Sequence, residues 1–227
     1  MAGVARYDGL VEWYEDFRPV LSAVEVDALE RLLGTGAGRC LDVGCGTGVA
    51  LPALTRLGWS VVGVDVSDDL LRVARGRGME AELAPGDALP FADRSFDAAV
   101  SIWTHTDVDD FPAVVREVAR VLRPRAPFVY LGAHPCFVGP HSRFIAAQGT
   151  PELHPGYRRA GRYTDAPGVS PHGLRARVGA SHLPLGQFME TFLGAAFVVE
   201  RFEEPEDLDY PAGREYPHMV ALRARPG

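Results

Sequence analysis

The chain has 227 residues, which is enough for one sizeable α/β domain and short for two; its 47% hydrophobic and 23% charged residues are typical of a globular protein. A formal net charge of −7 argues against a nucleic-acid substrate, because proteins that bind nucleic acids usually present a basic surface. The three cysteines do not make a disulfide framework, and no secretion signal is evident. No apolar run is long enough to span a bilayer. We therefore expect a cytoplasmic protein.

The most informative stretch of the sequence is residues 39–48, Arg-Cys-Leu-Asp-Val-Gly-Cys-Gly-Thr-Gly. Residues 40–43 predict a short buried strand, the three alternating glycines predict a tight turn, and the apolar residues of 49–57 have helical spacing. Glycine lacks a Cβ atom, so a strand, a glycine turn and a helix together let the backbone approach a ligand closely. We therefore predict a ligand site at this turn.

Asp42 narrows the choice of ligand. A carboxylate directly before the glycines would repel a pyrophosphate and would suit a cationic group, such as the amino group of an amino acid. The spacing is G-x-G-x-G, whereas a dinucleotide site has G-x-G-x-x-G. A nicotinamide-dependent oxidoreductase would also usually carry a Tyr-x-x-x-Lys pair, and this chain has no lysine.

Residues 41–48, Leu-Asp-Val-Gly-Cys-Gly-Thr-Gly, resemble the first motif of the class I S-adenosylmethionine (SAM) dependent methyltransferases. The resemblance implies an α/β fold, namely a Rossmann-like doubly wound sheet of seven strands. That sheet is mostly parallel with an antiparallel last strand and has helices on both faces. The resemblance also implies SAM as the cofactor.

Asp65 ends a second predicted buried strand, residues 59–65, and lies 19 residues after Gly46. An acidic residue at about this distance from the glycines can accept hydrogen bonds from both ribose hydroxyls. The alternative is a helix-capping role, but Ser67 is better placed to cap a helix over 68–77. The Asp65–Ser67 run also resembles the Asp-x-Ser pattern of the family.

Residues 86–91, Gly-Asp-Ala-Leu-Pro-Phe, resemble the adenine-binding segment of the family. The resemblance implies that Asp87 accepts from the adenine amino group and that the Ala88 amide donates to a ring nitrogen. The alternative is an Asx turn in a polar loop. The predicted cofactor-binding set is Tyr14, Asp42, Gly44, Cys45, Gly46, Asp65, Val66, Asp87, Ala88, Leu89 and Ser101.

The chain is predicted to form one domain with four parts. Residues 1–38 form a helical lid, with helices over 7–17 and 20–33, and residues 39–133 form the SAM-binding core. Residues 134–183 form a weakly periodic insertion for substrate recognition. Residues 184–227 complete the sheet. Tyr7 and Tyr14 match the lid of similar proteins, and Arg18 is a candidate for binding the methionine carboxylate.

Four histidines are candidate general bases: His105, His134, His141 and His182. His105 and His134 are the best placed, because they follow the fourth and fifth predicted strands. A lone histidine is, however, more often structural than catalytic. Asp107, Asp109 and Asp110 read as acids favoured at the N-terminus of a helix that is predicted over 108–122. No His or Cys spacing typical of a metal site is present, so no metal is predicted.

The predicted function is transfer of a methyl group from SAM to an O, N or C atom of a small molecule, for which we expect a secondary metabolite. The alternative is a SAM-binding protein of the same fold that does not methylate, such as a regulatory module or a catalyst of another rearrangement. We expect a small-molecule substrate, no nucleic acid or membrane partner, and a homodimer as a possible assembly.

Overall fold

The computed structural model describes residues 5–144, 151–164, 174–208 and 214–227. A seven-stranded sheet forms its centre, in the order β10-β11-β5-β4-β1-β2-β3. These strands are β1 Arg39–Val43, β2 Ser60–Asp65, β3 Glu80–Leu83, β4 Ala98–Ile102, β5 Phe128–Ala133, β10 Phe197–Glu203 and β11 Met219–Pro226.

The strand directions confirm the predicted fold class. Strands β1 to β5 pair in parallel, whereas β11 runs antiparallel to both β5 and β10. Strands β1, β2 and β3 follow one another toward one edge of the sheet, and β4 then pairs with β1 on its other side. Ligands bind at such a reversal point in doubly wound sheets, at the carboxyl ends of the strands.

Helices cover both faces of the sheet. They are α1 Val11–Phe17, α2 Ala23–Leu32, α3 Leu51–Arg56, α4 Asp68–Gly76, α5 Phe111–Val121, α6 Leu174–Val178 and α7 Leu185–Gly194. The structure has two hydrophobic cores, and successive residues of β1 point into different ones. Leu41 packs with α5 and α7, whereas Cys40 packs with α2, α3 and α4.

Helices α2 and α5 begin later than the apolar pattern predicts, because a polar residue caps each of them. Helix α2 begins at Ala23, since the Ser22 side chain accepts from the Glu25 amide and Glu25 bonds back in a capping box. Helix α5 begins after Asp110, which accepts from the Ala113 amide at 2.9 Å. Residues 20–22 and 108–110 are thereby left as loops.

The predicted insertion contains short regular elements in its described part. Strand β6, Ser142–Phe144, pairs with β7, Pro151–Leu153, and β8, Gly161–Tyr163, pairs with β9, Ala180–His182. Residues 145–150 and 165–173 of the insertion lie outside the described residues. Within the described ranges, every helix is too short or too polar to cross a membrane.

Candidate active site

A cleft opens at the carboxyl ends of β1, β2 and β4, where the fold predicts a ligand. It holds about 700 Å³ of empty space, counting its open mouth. Its walls come from the N-terminal segment, the glycine turn, the end of β2 and the residues after β4. They include Arg6, Tyr7, Tyr14, Gly44, Gly46, Asp65, Val66, Gly86, Trp103, Thr104 and Asp107.

The glycine turn needs its glycines. Gly44, Gly46 and Gly48 have φ values of +73°, +54° and +78°, a left-handed region that is costly for other residues. A Cβ atom on Gly44 would lie 2.7 Å from Thr104 Oγ1, and one on Gly46 would lie 3.6 Å from Tyr14 Oη. The turn therefore brings bare backbone to the cleft, as the sequence predicts.

Asp65 connects the glycine turn to the end of β2. Its Oδ2 accepts from the Gly46 amide and its Oδ1 from the Ser67 amide, both at 2.9 Å. Burial raises the pKa of Asp65, and these backbone hydrogen bonds act against that rise. Ser67 caps α4 through the Leu70 amide, which leaves Asp65 available at the cleft wall.

Asp42 lies on β1, two residues before Gly44; it is almost fully buried and is not among the described residues that line the cleft. Its Oδ2 has no hydrogen-bond partner among the described residues. Burial, and secondarily the charge of Asp65, raise the pKa of Asp42 to about 7. An unpaired buried carboxyl beside the turn fits a cationic amino group better than a phosphate. Ser101 on β4 is likewise fully buried, and its Oγ has no partner in the described structure.

The predicted lid tyrosines lie at the cleft, but Arg18 does not serve as predicted. Tyr7 and Tyr14 both line the cleft, with their rings edge to face at 5.3 Å between centroids. Burial raises the pKa of both hydroxyls, so they remain protonated donors. Arg18 instead pairs with Glu25 at 2.6 Å, because that buried carboxylate needs a counter-charge.

The predicted adenine segment reaches the cleft through Gly86. Asp87 and Ala88 follow it as exposed residues, whereas Leu89 is buried and its amide donates to Glu117 Oε2 at 2.9 Å. The roles of Asp87 and Ala88 toward adenine remain predictions. Leu89 anchors this loop to α5.

Of two other predicted contacts, Val66 lines the cleft and Cys45 is turned into the core. Cys45 is 5% exposed, and burial raises the pKa of its thiol well above the usual value. A Cβ atom on Gly63 would lie 2.6 Å from Cys45 Sγ, which shows that the thiol packs against β2. Only the backbone of Cys45 is therefore available at the turn.

His105 lies in a short 3₁₀ turn, Thr104–Thr106, and its side chain enters an aromatic core rather than the described lining of the cleft. Its Nδ1 bonds the hydroxyl of Tyr130, and its ring lies 5.5 Å from the ring of Phe188. Burial is the main cause that lowers the pKa of His105 to about 3. The imidazole is neutral at physiological pH and is placed as a packing residue.

His134 is also buried, and both of its ring nitrogens have partners. Nδ1 accepts from the Cys136 amide at 3.0 Å, and Nε2 lies 2.6 Å from Glu204 Oε1. Since Nδ1 is an acceptor, Nε2 carries the proton in the neutral ring. Burial lowers the pKa of His134, against the effect of Glu204. This geometry leaves no free lone pair on the ring.

A cluster around Asp107 was not found from the sequence. Asp110 caps α5 as predicted, but Asp107 accepts from Tyr7 Oη and from Arg175 Nη1, both at 2.9 Å. The side chain of Arg6 also bonds the Asp107 carbonyl. The N-terminal segment and the insertion therefore meet on one loop at the cleft. No spacing in the sequence signals this, because the three partners lie far apart along the chain.

The comparisons with known proteins agree with this geometry. A family profile described as "Methyltransferase domain" matches residues 41–130, which include the glycine turn, β2 and β4. A crystal structure of an S-adenosylmethionine dependent methyltransferase from Mesorhizobium loti is 27% identical, with a TM-score of 0.74 over 90% of this chain and 98% of that one. The match to the methyltransferase domain and the similarity to this structure support a class I SAM-dependent methyltransferase.

Curated relatives of this chain are similar to it over part of their length. A demethylmenaquinone methyltransferase of Tropheryma whipplei (strain Twist) is 36% identical over 131 residues, 54% of each chain. A ubiquinone biosynthesis O-methyltransferase of Xanthomonas oryzae pv. oryzae (strain PXO99A) is 32% identical over 111 residues, 46% of each. The chain thus spans about half the length of the curated relatives it matches.

The residues at and next to the cleft fit SAM, the cofactor that the match to methyltransferases implies. Asp65 offers a carboxylate in the cleft wall for the ribose hydroxyls. Asp42, which lies in β1 directly before the lining residues Val43 and Gly44, offers an unpaired buried carboxyl for the amino group. The cradle between them is bare backbone that a Cβ atom would partly fill. In the described part of the chain, no three His, Cys, Asp or Glu side chains are grouped as metal ligands would be.

Proposed function

We propose that this protein transfers the methyl group of SAM to an O, N or C atom of a small-molecule acceptor. The observation that carries the proposal is the arrangement of Asp65, which bonds the amide of Gly46 and lies in the cleft wall. A carboxylate there both fixes the turn and offers acceptor atoms to a vicinal diol. Asp42, unpaired and buried, supports an amino acid group at the other end.

Bound SAM supplies an activated methyl group on a sulfonium, so the protein mainly has to hold donor and acceptor in line. In this proposal Asp65 binds the ribose, Asp42 binds the amino group, and Gly86 with the adjoining Asp87 contacts the adenine. Tyr7 and Tyr14 cover the cleft and exclude water. Proton removal by His105 or His134 is not supported, since burial lowers the pKa of both imidazoles. In addition, Nδ1 of His105 bonds Tyr130, and both ring nitrogens of His134 have partners.

For the acceptor we propose a secondary metabolite with apolar character. The cleft wall beyond the turn is apolar at Val43, Ile102 and Val108, and the relatives above are named for quinone biosynthesis. We further propose a cytoplasmic enzyme that acts as a single domain and without nucleic acid, with a homodimer as the assembly to be tested. The acidic net charge of −7 supports the exclusion of nucleic acid.

Calorimetric titration with SAM, S-adenosylhomocysteine (SAH) and NADH tests the cofactor. Binding of the first two and not of NADH is expected, and NADH binding alone would contradict the proposal. A second assay follows SAH formation with a panel of phenols, amines and reduced quinones. SAM binding with no SAH formation on any acceptor would favour the alternative, a SAM-binding protein that does not methylate.

A further inference from the structure

Trp103 is the one residue of the cleft wall, among those described, that has a left-handed backbone without being glycine. It follows β4 directly, with φ of 63°. Its amide donates to the Leu131 carbonyl at 2.7 Å, and its carbonyl accepts from Thr106 Oγ1 at 2.9 Å. Strained conformations of this kind persist only where surrounding contacts impose them, and they cluster at functional sites.

The indole of Trp103 is fixed as firmly as its backbone. Its Nε1 donates to Glu25 Oε1, and its ring stacks on His218 with centroids 6.3 Å apart at 20°. The guanidinium of Arg18 lies 5.8 Å from the ring centroid and pairs with the same Glu25 oxygen. Two segments that lie far apart in the sequence, residues 18–25 and the segment around His218, therefore hold one side chain at the cleft.

The two carboxylate oxygens of Glu25 have different hydrogen-bond partners. Oε2 accepts from the amide and hydroxyl of Ser22, at 2.8 and 2.9 Å, and completes the capping box of α2. Oε1 takes no part in the cap and binds Arg18 and Trp103 instead. The side chain is only 2% exposed; burial opposes its charge, but Arg18 and Trp103 keep the pKa of Glu25 below its usual value.

A helix cap alone does not explain this arrangement. Exposed polar residues form capping boxes at low cost, whereas a buried carboxylate is expensive unless every partner is in place. Here the second oxygen reaches across to the end of β4, next to the reversal point of the sheet. This is where donor and acceptor meet in the proposed reaction.

We propose that Glu25 is a positioning residue, which holds the indole of Trp103 as the wall of the cleft that contacts the bound cofactor. Trp103 is then the binding residue, and Glu25 acts through its indole N–H. The proposal rests on the proposed function, because it assigns the cleft to SAM. It adds two residues that carry no recognisable motif in the sequence.

Ser22→Ala is the matched control, because it breaks the same capping box and leaves Glu25 Oε1 in place. We expect Glu25→Ala and Trp103→Phe each to raise the SAH dissociation constant about tenfold, because each variant loses a hydrogen bond to a charged group. Ser22→Ala should change this constant less than about twofold. In the double variant, Glu25→Ala should add little to Trp103→Phe. Equal effects of Ser22→Ala and Glu25→Ala, or additive effects in the double variant, would overturn the proposal.

Tryptophan fluorescence of the unliganded protein gives a second, independent measurement. The difference between wild type and Trp103→Phe isolates the emission of Trp103, which should shift to longer wavelength in Glu25→Ala but not in Ser22→Ala. An unchanged Trp103 emission in Glu25→Ala would overturn the proposal even if SAH binding changes. If wild type does not bind SAH, the proposed function fails, while the fluorescence still decides whether Glu25 positions Trp103.

Discussion

Gly46 and Asp65 are joined by a hydrogen bond of 2.9 Å from the backbone amide to Oδ2, although 19 residues separate them. The bond connects the turn after β1 to the end of β2, two neighbouring parallel strands. One carboxylate therefore both shapes the glycine turn and forms part of the cleft wall. The shape of the turn and its capacity to bind are coupled through this side chain.

Asp65→Ala should consequently weaken SAH binding by more than the loss of a ligand contact alone. We expect a loss of about 1.5–3 kcal/mol from the charged hydrogen bonds to the ribose, with a further loss because the Gly46 amide has no acceptor. Calorimetric titration measures the change. Asp68→Ala, a nearby exposed acid on α4, is the control and should bind as wild type does. Unchanged affinity in Asp65→Ala would remove Asp65 from the site.

Asp42 predicts how cofactor binding depends on pH. Its pKa in the folded protein is raised to about 7, so below pH 7 the carboxyl is neutral and must lose a proton to pair with an amino group. SAM affinity should therefore fall about tenfold between pH 7 and pH 5.5. Calorimetry across this range tests the prediction. In Asp42→Asn the affinity should be low at both values, and a fall as steep as that of wild type would contradict the assignment.

The buried His105 predicts that the free energy of unfolding decreases as the pH falls. Its pKa is about 3 when folded against about 6.5 when unfolded, so the unfolded chain binds more protons between these values. The stabilisation is complete above pH 6.5 and is lost as the pH falls toward 3. His105 alone should reduce the free energy of unfolding by about 2 kcal/mol between pH 7 and pH 5.

Urea unfolding at pH 7 and pH 5 measures this term. His105→Gln should lose less stability on acidification than wild type does, by that amount. His154→Gln, at a half-exposed histidine, is the control and should follow wild type. Asp42 changes the free energy of unfolding in the opposite direction over the same pH range, because its raised pKa adds stability as the pH falls. The comparison must therefore be made between variants and not on wild type alone.

The Asp107–Arg175 pair predicts that the insertion and the N-terminal segment close the cleft together. Arg175→Met leaves the partly buried Asp107 with Tyr7 but without its counter-charge, and it should lower the free energy of unfolding by about 1–3 kcal/mol and weaken SAH binding. Urea unfolding and calorimetry measure the two effects. Arg56→Met removes an exposed pair with Glu30 and should change stability by less than about 1 kcal/mol. Equal effects of the two variants would mean that the buried pair is not a closing contact.

The sequence alone predicted the fold class and the glycine turn that lines the cleft. Residues 40–48 carry strand, turn and helix signals within one short segment, and the spacing from Gly46 to Asp65 follows from the length of one strand–helix–strand unit. Such features are local, so periodicity and glycine chemistry suffice to find them. The helix starts at Ala23 and Phe111 differed because side-chain caps, rather than apolar spacing, decide where a helix begins.

Only the tertiary structure decided what the other polar side chains do. His105 follows a strand at the ligand edge, where a base is expected, yet its ring turns into the aromatic core beside Tyr130. Arg18 pairs with Glu25, and Glu25 reaches Trp103 across 78 positions of the chain. Contacts of this kind depend on which side chains the completed sheet brings together. Their physical basis is the need of each buried charge and donor for a partner, and no local pattern in the sequence records which partner that is.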